Sequence, residues 1–251
     1  MPNNMERPVY RLAEVDSTND EAKRLFAQNS GEFVVVAERQ NAGRGRRQRV
    51  WQAAPGLNLT ASFVVRPSFL SGPEAFLLSE AAAVAAVFAL RSLAPPDIQI
   101  TAKWPNDVTV MDRKIAGILI ENVWLGEKWE YAVVGFGINV NQTEFDGEFR
   151  AASLAMMHAG KPQSVERTLY ALSEIFWDRV ERLKAGDKDG VEREYHAVWG
   201  DKGRSARLND DGETGIPLRV RRDGRIEIQT PTGLKIYSLD EVRLQFASPI
   251  Y

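Results

Sequence analysis

Four arginines fall within six positions at Gly43-Arg44-Gly45-Arg46-Arg47-Gln48-Arg49, a crowding of like charge that asks for a partner. Guanidinium groups fork onto carboxylate and phosphate oxygens, and glycines let the backbone come close to a ligand, so the stretch suits an anion that closes it. Unpaired, the arginines repel one another, which predicts a loop that is mobile when empty. A solvated basic patch or a nucleic-acid contact explains the stretch equally well when it is taken alone. A dinucleotide-binding fingerprint is excluded, because Gln48 stands at the third glycine position and a strand follows where a helix is needed.

Three other short segments carry polar groups. Lys103-Trp104-Pro105-Asn106-Asp107 ends a strand with a sharp turn and offers a cation, an amide and a carboxylate in one place. Lys114 follows seven residues after Asp107 and opens the apolar run Ile115-Ala116-Gly117-Ile118-Leu119-Ile120-Glu121, so a hairpin would return it beside the turn. Taken alone, the turn is more often a structural Asn-Asp bend and a lone lysine more often a solvated strand end. Gly135-Phe136-Gly137-Ile138-Asn139 ends another strand with two glycines that permit close approach and an amide able to grip a ribose or base. Ser17-Thr18-Asn19 has the composition of a helix cap.

The elements that must position these groups follow from periodicity. Thr18 with Glu21 has capping-box spacing, predicting a helix over Ser17 to Ala27. Phe33 to Glu38 is a β-branched strand that empties into the arginine stretch. Leu57, Leu59, Ala61, Phe63 and Val65 alternate with mostly polar residues, the signature of a strand with one buried face. Glu74 to Leu93 is Ala-rich and apolar on nearly all sides, predicting a helix buried against a sheet. Ile98 to Trp104, Val108 to Met111, Ile115 to Trp124 and Tyr131 to Asn139 read as strands. Ser164 to Lys184 sets Val165, Leu169, Leu172, Phe176 and Leu183 on one helical face, and a shorter helix follows at Val191 to Trp199. From Gly203 the texture changes to Ser205 to Asn209, Pro217 to Arg221 and Arg225 to Gln229, separated by Asp211-Gly212 and Asp223-Gly224 turns. The class is α+β, with a larger unit over residues 1–202 and a small all-β module over 203–251 that leans on it.

Composition bounds the chemistry. At roughly 150 residues per domain, 251 residues make one large domain with room for a small companion. A net charge of -2 gives no global pull towards nucleic acid or an anionic membrane, so any basic site is local. The absence of cysteine excludes disulfides, a thiolate nucleophile and sulfur-ligated zinc, and two histidines leave no His-rich metal cage. Met1 to Tyr10 reads as neither signal peptide nor anchor, and the apolar run Ala81 to Leu90 is about half the ~20 residues needed to span a bilayer. A cytoplasmic protein without membrane contact is the expectation.

The order and spacing of these segments, from Ser17-Thr18-Asn19 through Gly43 to Arg49 with Trp51, Lys103 to Asp107, Lys114 to Glu121 and Gly137-Ile138-Asn139, resembles the biotin protein ligase family over essentially the whole chain. The resemblance implies a central mixed sheet flanked by helices, of the class II synthetase-like biotin/lipoate ligase fold, with an SH3-like C-terminal barrel. It implies biotin and Mg2+-ATP as substrates, and a biotin carboxyl carrier protein or domain as acceptor partner. Carried over by position, Ser17, Thr18, Asn19, Gln40, Gly43, Arg44, Gly45, Arg46, Lys114 and Gly117 are expected at biotin, and Arg47, Arg49, Trp51, Lys103, Asn106 and Asn139 at the nucleotide. Lys114 and Arg46 are expected to act on the reacting anions, with Asp107 as base for the acceptor lysine; metal ligands are not assigned. Gln48 departs from the family's usual glycine. Because the first motif begins at Ser17, a monofunctional ligase without a DNA-binding segment is expected, its homodimerisation left open.

Two rivals remain at this point. A lipoate or octanoate ligase shares the fold, and a nucleic-acid module could use Arg44 to Arg49 with Arg219-Arg221-Arg222. The arginine loop favours biotin over the first, and net charge disfavours the second.

Overall fold

The computed structural model describes residues 7–145, 150–209 and 212–246. Asp211 of the expected Asp211-Gly212 turn, most of the Met1 to Tyr10 segment and the C-terminal residues beyond 246 lie outside them.

Seven strands form the central sheet: β1 (Val9–Val15), β2 (Phe33–Gln40), β3 (Leu59–Val65), β4 (Ile100–Lys103), β5 (Asp107–Val110), β6 (Arg113–Leu125) and β7 (Lys128–Ile138). Their order is β1-β2-β3-β7-β6-β5-β4, with β1 and β2 parallel and every other pair antiparallel. The sheet is therefore mixed, as expected. β1 was not anticipated: it is an edge strand without a fully buried residue, so it lacks the apolar alternation that marks a strand in sequence.

The helices are α1 (Thr18–Phe26), α2 (Phe76–Leu93), α3 (Leu154–Met157), α4 (Val165–Lys184) and α5 (Lys188–Val198). α2 lies on one face of the sheet with α4 and α5 packed against it. Its alanines let helix and sheet approach closely, and its apolar circumference is consumed by that burial. By length and composition the stretch Gly72–Leu93 could cross a membrane, its most apolar 18-residue window having mean hydropathy 1.7, but 72% of that window is buried inside the protein, as in a core helix. The expected face of α4 is buried at Leu169, Leu172, Phe176 and Leu183. α1 covers part of the opposite face, packing Ala22 and Phe26 on Phe33, Val35, Val64, Tyr131 and Val133.

β3 corrects an expectation. Its alternation suggested one buried face, yet all seven residues are buried, because α1 and the site described below cover the polar side.

The C-terminal module is a five-stranded antiparallel sheet, β11-β10-β9-β8-β12, built from β8 (Ala206–Leu208), β9 (Thr214–Val220), β10 (Ile226–Thr230), β11 (Gly233–Tyr237) and β12 (Leu244–Phe246). The last two are additional to the three strands expected. Val220, Ile226 and Ile228 join the main core, so the module does lean on the larger unit. At the junction, Trp104 Nε1 donates to the Gly224 carbonyl at 3.0 Å and Arg204 forks onto Asp112 at 2.8 and 2.9 Å. Asp201, almost wholly buried, accepts from Trp104 N and Trp199 Nε1, and burial pushes its carboxyl up to about 6.

Candidate active site

The site occupies the sheet face not covered by α2, beyond the end of α1. Strand alternation sets its floor. Gly137 on β7 is paired with Thr60 on one side and Gly117 on the other, and Gly135 with Ser62 and Leu119. These glycines are spatial requirements: a Cβ on Gly137 would lie 2.3 Å from Cε2 of Trp51, and one on Gly135 would lie 2.3 Å from Oδ1 of Asn19. The floor is thus kept bare so that an indole and an amide can stand on it.

At one end of this floor is a buried polar cluster. The backbone N–H and hydroxyl of Thr18 both donate to Gln40 Oε1, at 2.7 and 3.0 Å. The Ser62 hydroxyl donates to Asn19 Oδ1 at 2.6 Å and lies 2.7 Å from Thr18 Oγ1. Asn19 Nδ2 donates to Glu121 Oε2 at 2.7 Å, and Glu121 also pairs with Lys23 at 2.8 Å. The expected capping box is absent: Ser17 is the N-cap without a side-chain cap bond, Thr18 is spent on Gln40, and Glu21 pairs with Arg24. Long-range polar pairing inside the fold outcompetes the local cap.

At the other end stands Lys114. Its backbone is gripped on both sides, donating to the Arg150 carbonyl at 2.8 Å and accepting from Ala152 N at 2.9 Å, while β5 pairs along the strand. Lys114 Nζ sits 2.7 Å from Asp107 Oδ1 and 5.4 Å from the centre of the Trp51 ring. The hairpin does return the lysine to the turn. The contact with Asp107 is ionic, since Oδ1 receives no well-aligned hydrogen bond, and the buried Trp51 indole N–H has no acceptor among the described residues.

The arginine loop closes the third side. Gly45 N donates to the Arg49 carbonyl and Trp51 N to the Gly43 carbonyl, at 2.7 and 2.9 Å. A Cβ on Gly43 would meet the Trp51 carbonyl at 2.7 Å, so glycine is needed there for close approach. Contrary to the expectation of unpaired, repelling charges, three of the arginines hold protein carboxylates. Arg44 forks onto Asp20, which holds that carboxyl below its usual range and raises the guanidinium. Arg46 Nη2 and Arg47 Nε donate to Asp240 Oδ1 at 2.8 and 3.2 Å. The left-handed residue in the loop is Arg47, at φ 55°. Arg44 to Arg47, Leu119 to Glu121 and Asp240 line an open cleft of about 470 Å³.

Not every anticipated residue is brought to the centre. Asn106 Nδ2 donates to the Ile118 carbonyl at 3.0 Å, and Asn139 Nδ2 to the Ala152 and Lys114 carbonyls at 3.0 and 3.5 Å. Asn106 thus braces β6, and Asn139 ties β6 to the segment at Ala152. Lys103 Nζ lies over the Phe246 ring of the C-terminal module, 5.5 Å from its centre. Arg49 contributes backbone bonds that close the loop.

Sequence reasoning passed over Ser62, Asp20 and Asp240, and gave Glu121 no role. Ser62 had a signal: it is a small polar residue at the centre of a strand whose other polar residue is Thr60.

This geometry matches a known family. Residues 10–139 match the model of the biotin/lipoate A/B protein ligase family, the segment that carries the floor, the polar cluster, Lys114 and the loop. The chain belongs to that family. Among its members, the biotin–[acetyl-CoA-carboxylase] ligase of Paracoccus denitrificans is 41% identical over 129 residues, 51% of this chain and 53% of the relative's length. A bifunctional ligase/repressor of Bacillus spizizenii is 38% identical over 237 residues, covering 90% of this chain and 71% of the relative. The biotin protein ligase of Aquifex aeolicus, solved in complex with biotin and ATP, superposes with a TM-score of 0.79 at 27% identity, covering 97% of this chain and all of that one. The family model ends at residue 139, and the likeness in fold to the Aquifex ligase extends beyond it to 97% of this chain.

Proposed function

We propose that the chain is an ATP-dependent biotin protein ligase, a carbon–nitrogen bond-forming enzyme that makes biotinyl-5'-AMP and passes biotin to a lysine of a biotin carboxyl carrier protein or domain. The observation that carries this reading is a glycine floor with Lys114 at one end, a buried polar cluster at the other and the arginine loop closing a third side. Joining a carboxylate to a nucleotide brings two anions together, and fixed cations in a partly desolvated site offset that repulsion. The Aquifex ligase, seen with biotin and ATP, has the same fold.

In this reading the uncharged ring system of biotin lies against Ser17, Thr18, Asn19 and Gln40, whose amides and hydroxyls match its donors and acceptors. Lys114 leaves Asp107 to bridge the biotin carboxylate and the α-phosphate. The carboxylate oxygen attacks phosphorus and pyrophosphate departs. Arg44, Gly45 and Arg46 close over the adenylate, and Trp51, Arg47, Arg49 and Lys103 flank the nucleotide. Asn106 and Asn139 act by bracing the strand that carries Lys114. With Lys114 turned to the ligand, the Asp107 carboxylate is free to take a proton from the acceptor ammonium, whose ordinary pKa near ~10.4 makes it a poor nucleophile. The neutral amine attacks the anhydride carbonyl and AMP leaves. Among the described residues no three histidine, aspartate or glutamate side chains gather as metal ligands, and no step is assigned to magnesium.

Transfer of labelled biotin to a purified carrier domain tests the reading, with lipoate and octanoate as competitors. Labelling that needs ATP and biotin supports it; activation of lipoate or octanoate in preference to biotin replaces it with the sister activity of the family.

A further inference from the structure

Among the described residues, the C-terminal module contributes one side chain to the lining of the cleft, Asp240. We propose that Asp240 is a positioning residue for the reaction, holding the arginine loop in shape before an anionic ligand arrives. The ligand's identity rests on the function proposed above; the hold itself belongs to the free chain.

The geometry is specific. One carboxylate oxygen receives both Arg46 Nη2 and Arg47 Nε, and the Asp240 backbone carbonyl accepts from Arg47 Nη2 at 2.6 Å. Arg46 reaches across 194 residues of sequence to do so, so no local turn imposes the contact. Arg47 sits in left-handed backbone, which disfavours any residue with a Cβ and persists only where neighbouring contacts fix it. Two donors from its side chain, both ending on Asp240, supply that fixing. The same carboxylate lies between two guanidinium groups that would otherwise repel.

The hold leaves the loop competent. Arg46 uses only Nη2 on the module; among the described residues its Nε and Nη1 meet no acceptor, so they can take a carboxylate or phosphate while the clasp stays made. Arg44 is fixed separately on Asp20, so the loop is tied at both ends, to α1 and to the module. Asp240 is 70% exposed, and ion pairs so open to water are modest. The consequence is a lowered ordering cost on binding, expressed in affinity with little effect on the chemical step.

Asp240→Asn tests this, since it keeps size, removes charge and touches no core residue. Trypsin cleavage between Arg44 and Arg49 in the free variant should run several-fold faster than in the wild type. Saturating biotin and ATP should erase that difference. The KM for ATP should rise about two- to fivefold, the scale of an exposed ion pair, while kcat changes by less than about twofold. Asp240→Glu should restore both readouts in part. Unchanged cleavage, a fall in KM, or a loss confined to kcat would each overturn the proposal. A wild-type chain with no biotin-dependent activity would refute the function instead, and the cleavage comparison would still decide the clasp.

Discussion

Strand β7 presents two faces built to opposite rules. Ala132, Val134, Phe136 and Ile138 point into the core beneath α2 and α4 and are buried among large apolar neighbours. Gly135 and Gly137, their immediate neighbours in sequence, point the other way and carry no side chain at all, because Asn19 and Trp51 occupy the space a Cβ would need. One face is filled along its length, and the other is filled under α1 at Tyr131 and Val133 but emptied at Gly135 and Gly137 so that polar groups and ligands can approach the backbone. The lesson is that substitutions one residue apart should separate stability from activity.

The largest effect should come from the filled face. Phe136→Ala removes a ring packed edge-on against Phe63 and Phe176 and should cost about 3–5 kcal/mol in denaturant unfolding. A loss under about 1 kcal/mol would break the comparison.

The same side of the molecule carries a buried carboxyl, Glu80 of α2, whose oxygens have no partner among the described residues and which burial pushes up to about 8. Its folded-state pKa lies above the unfolded one, so folding is unaffected by this group below about pH 4.5 and loses stability as pH rises towards 8, with a slope of up to about 1.4 kcal/mol per pH unit. Glu80→Gln should flatten that slope in unfolding measured from pH 5 to 9. An unchanged slope would assign the pH dependence elsewhere.

The emptied face should respond in activity. Gly137→Ala forces the Trp51 ring aside and should reduce adenylation about 10- to 100-fold, since ångström-scale misplacement at a site can cost that much. Gly117→Ala should do less, under about tenfold, because its Cβ would meet the end of Lys114 and Cζ3 of Trp51 at 3.1 Å, contacts that a small shift relieves, where a Cβ on Gly137 overlaps the indole at 2.3 Å. Equal effects at the two glycines would show that the depth of overlap with the indole does not set the loss.

How much of this was legible in the sequence differs between the same two faces. The filled face announces itself: the Ala-rich run of α2 and the spacing of Leu169, Leu172 and Phe176 predict helices, and the helices are there. Lys114 beside Asp107 was also readable, because a short hairpin leaves it nowhere else to go. The emptied face was harder. Thr18 and Glu21 spell a local cap, and nothing in their neighbourhood says that Gln40, 22 residues on, will claim the hydroxyl. The arginines look unpaired because their partners, Asp20 and Asp240, lie 24 and 194 positions away. β1 was invisible because an exposed edge strand needs no apolar rhythm. Contacts made across long stretches of chain are set by packing, which no window of sequence contains.

In the proposed reaction, Lys114 and the arginine loop beside the glycine floor activate a biotin carboxylate against ATP. Biotin-dependent exchange of labelled pyrophosphate into ATP, compared between the wild type and Lys114→Ala, tests it most directly. Exchange should require biotin and should fall at least about 100-fold in the variant, a rise of about 2.7 kcal/mol in the barrier, with unfolding unchanged. Exchange that is absent from the wild type, or that survives in Lys114→Ala at more than about a tenth of the wild-type rate, would contradict the account.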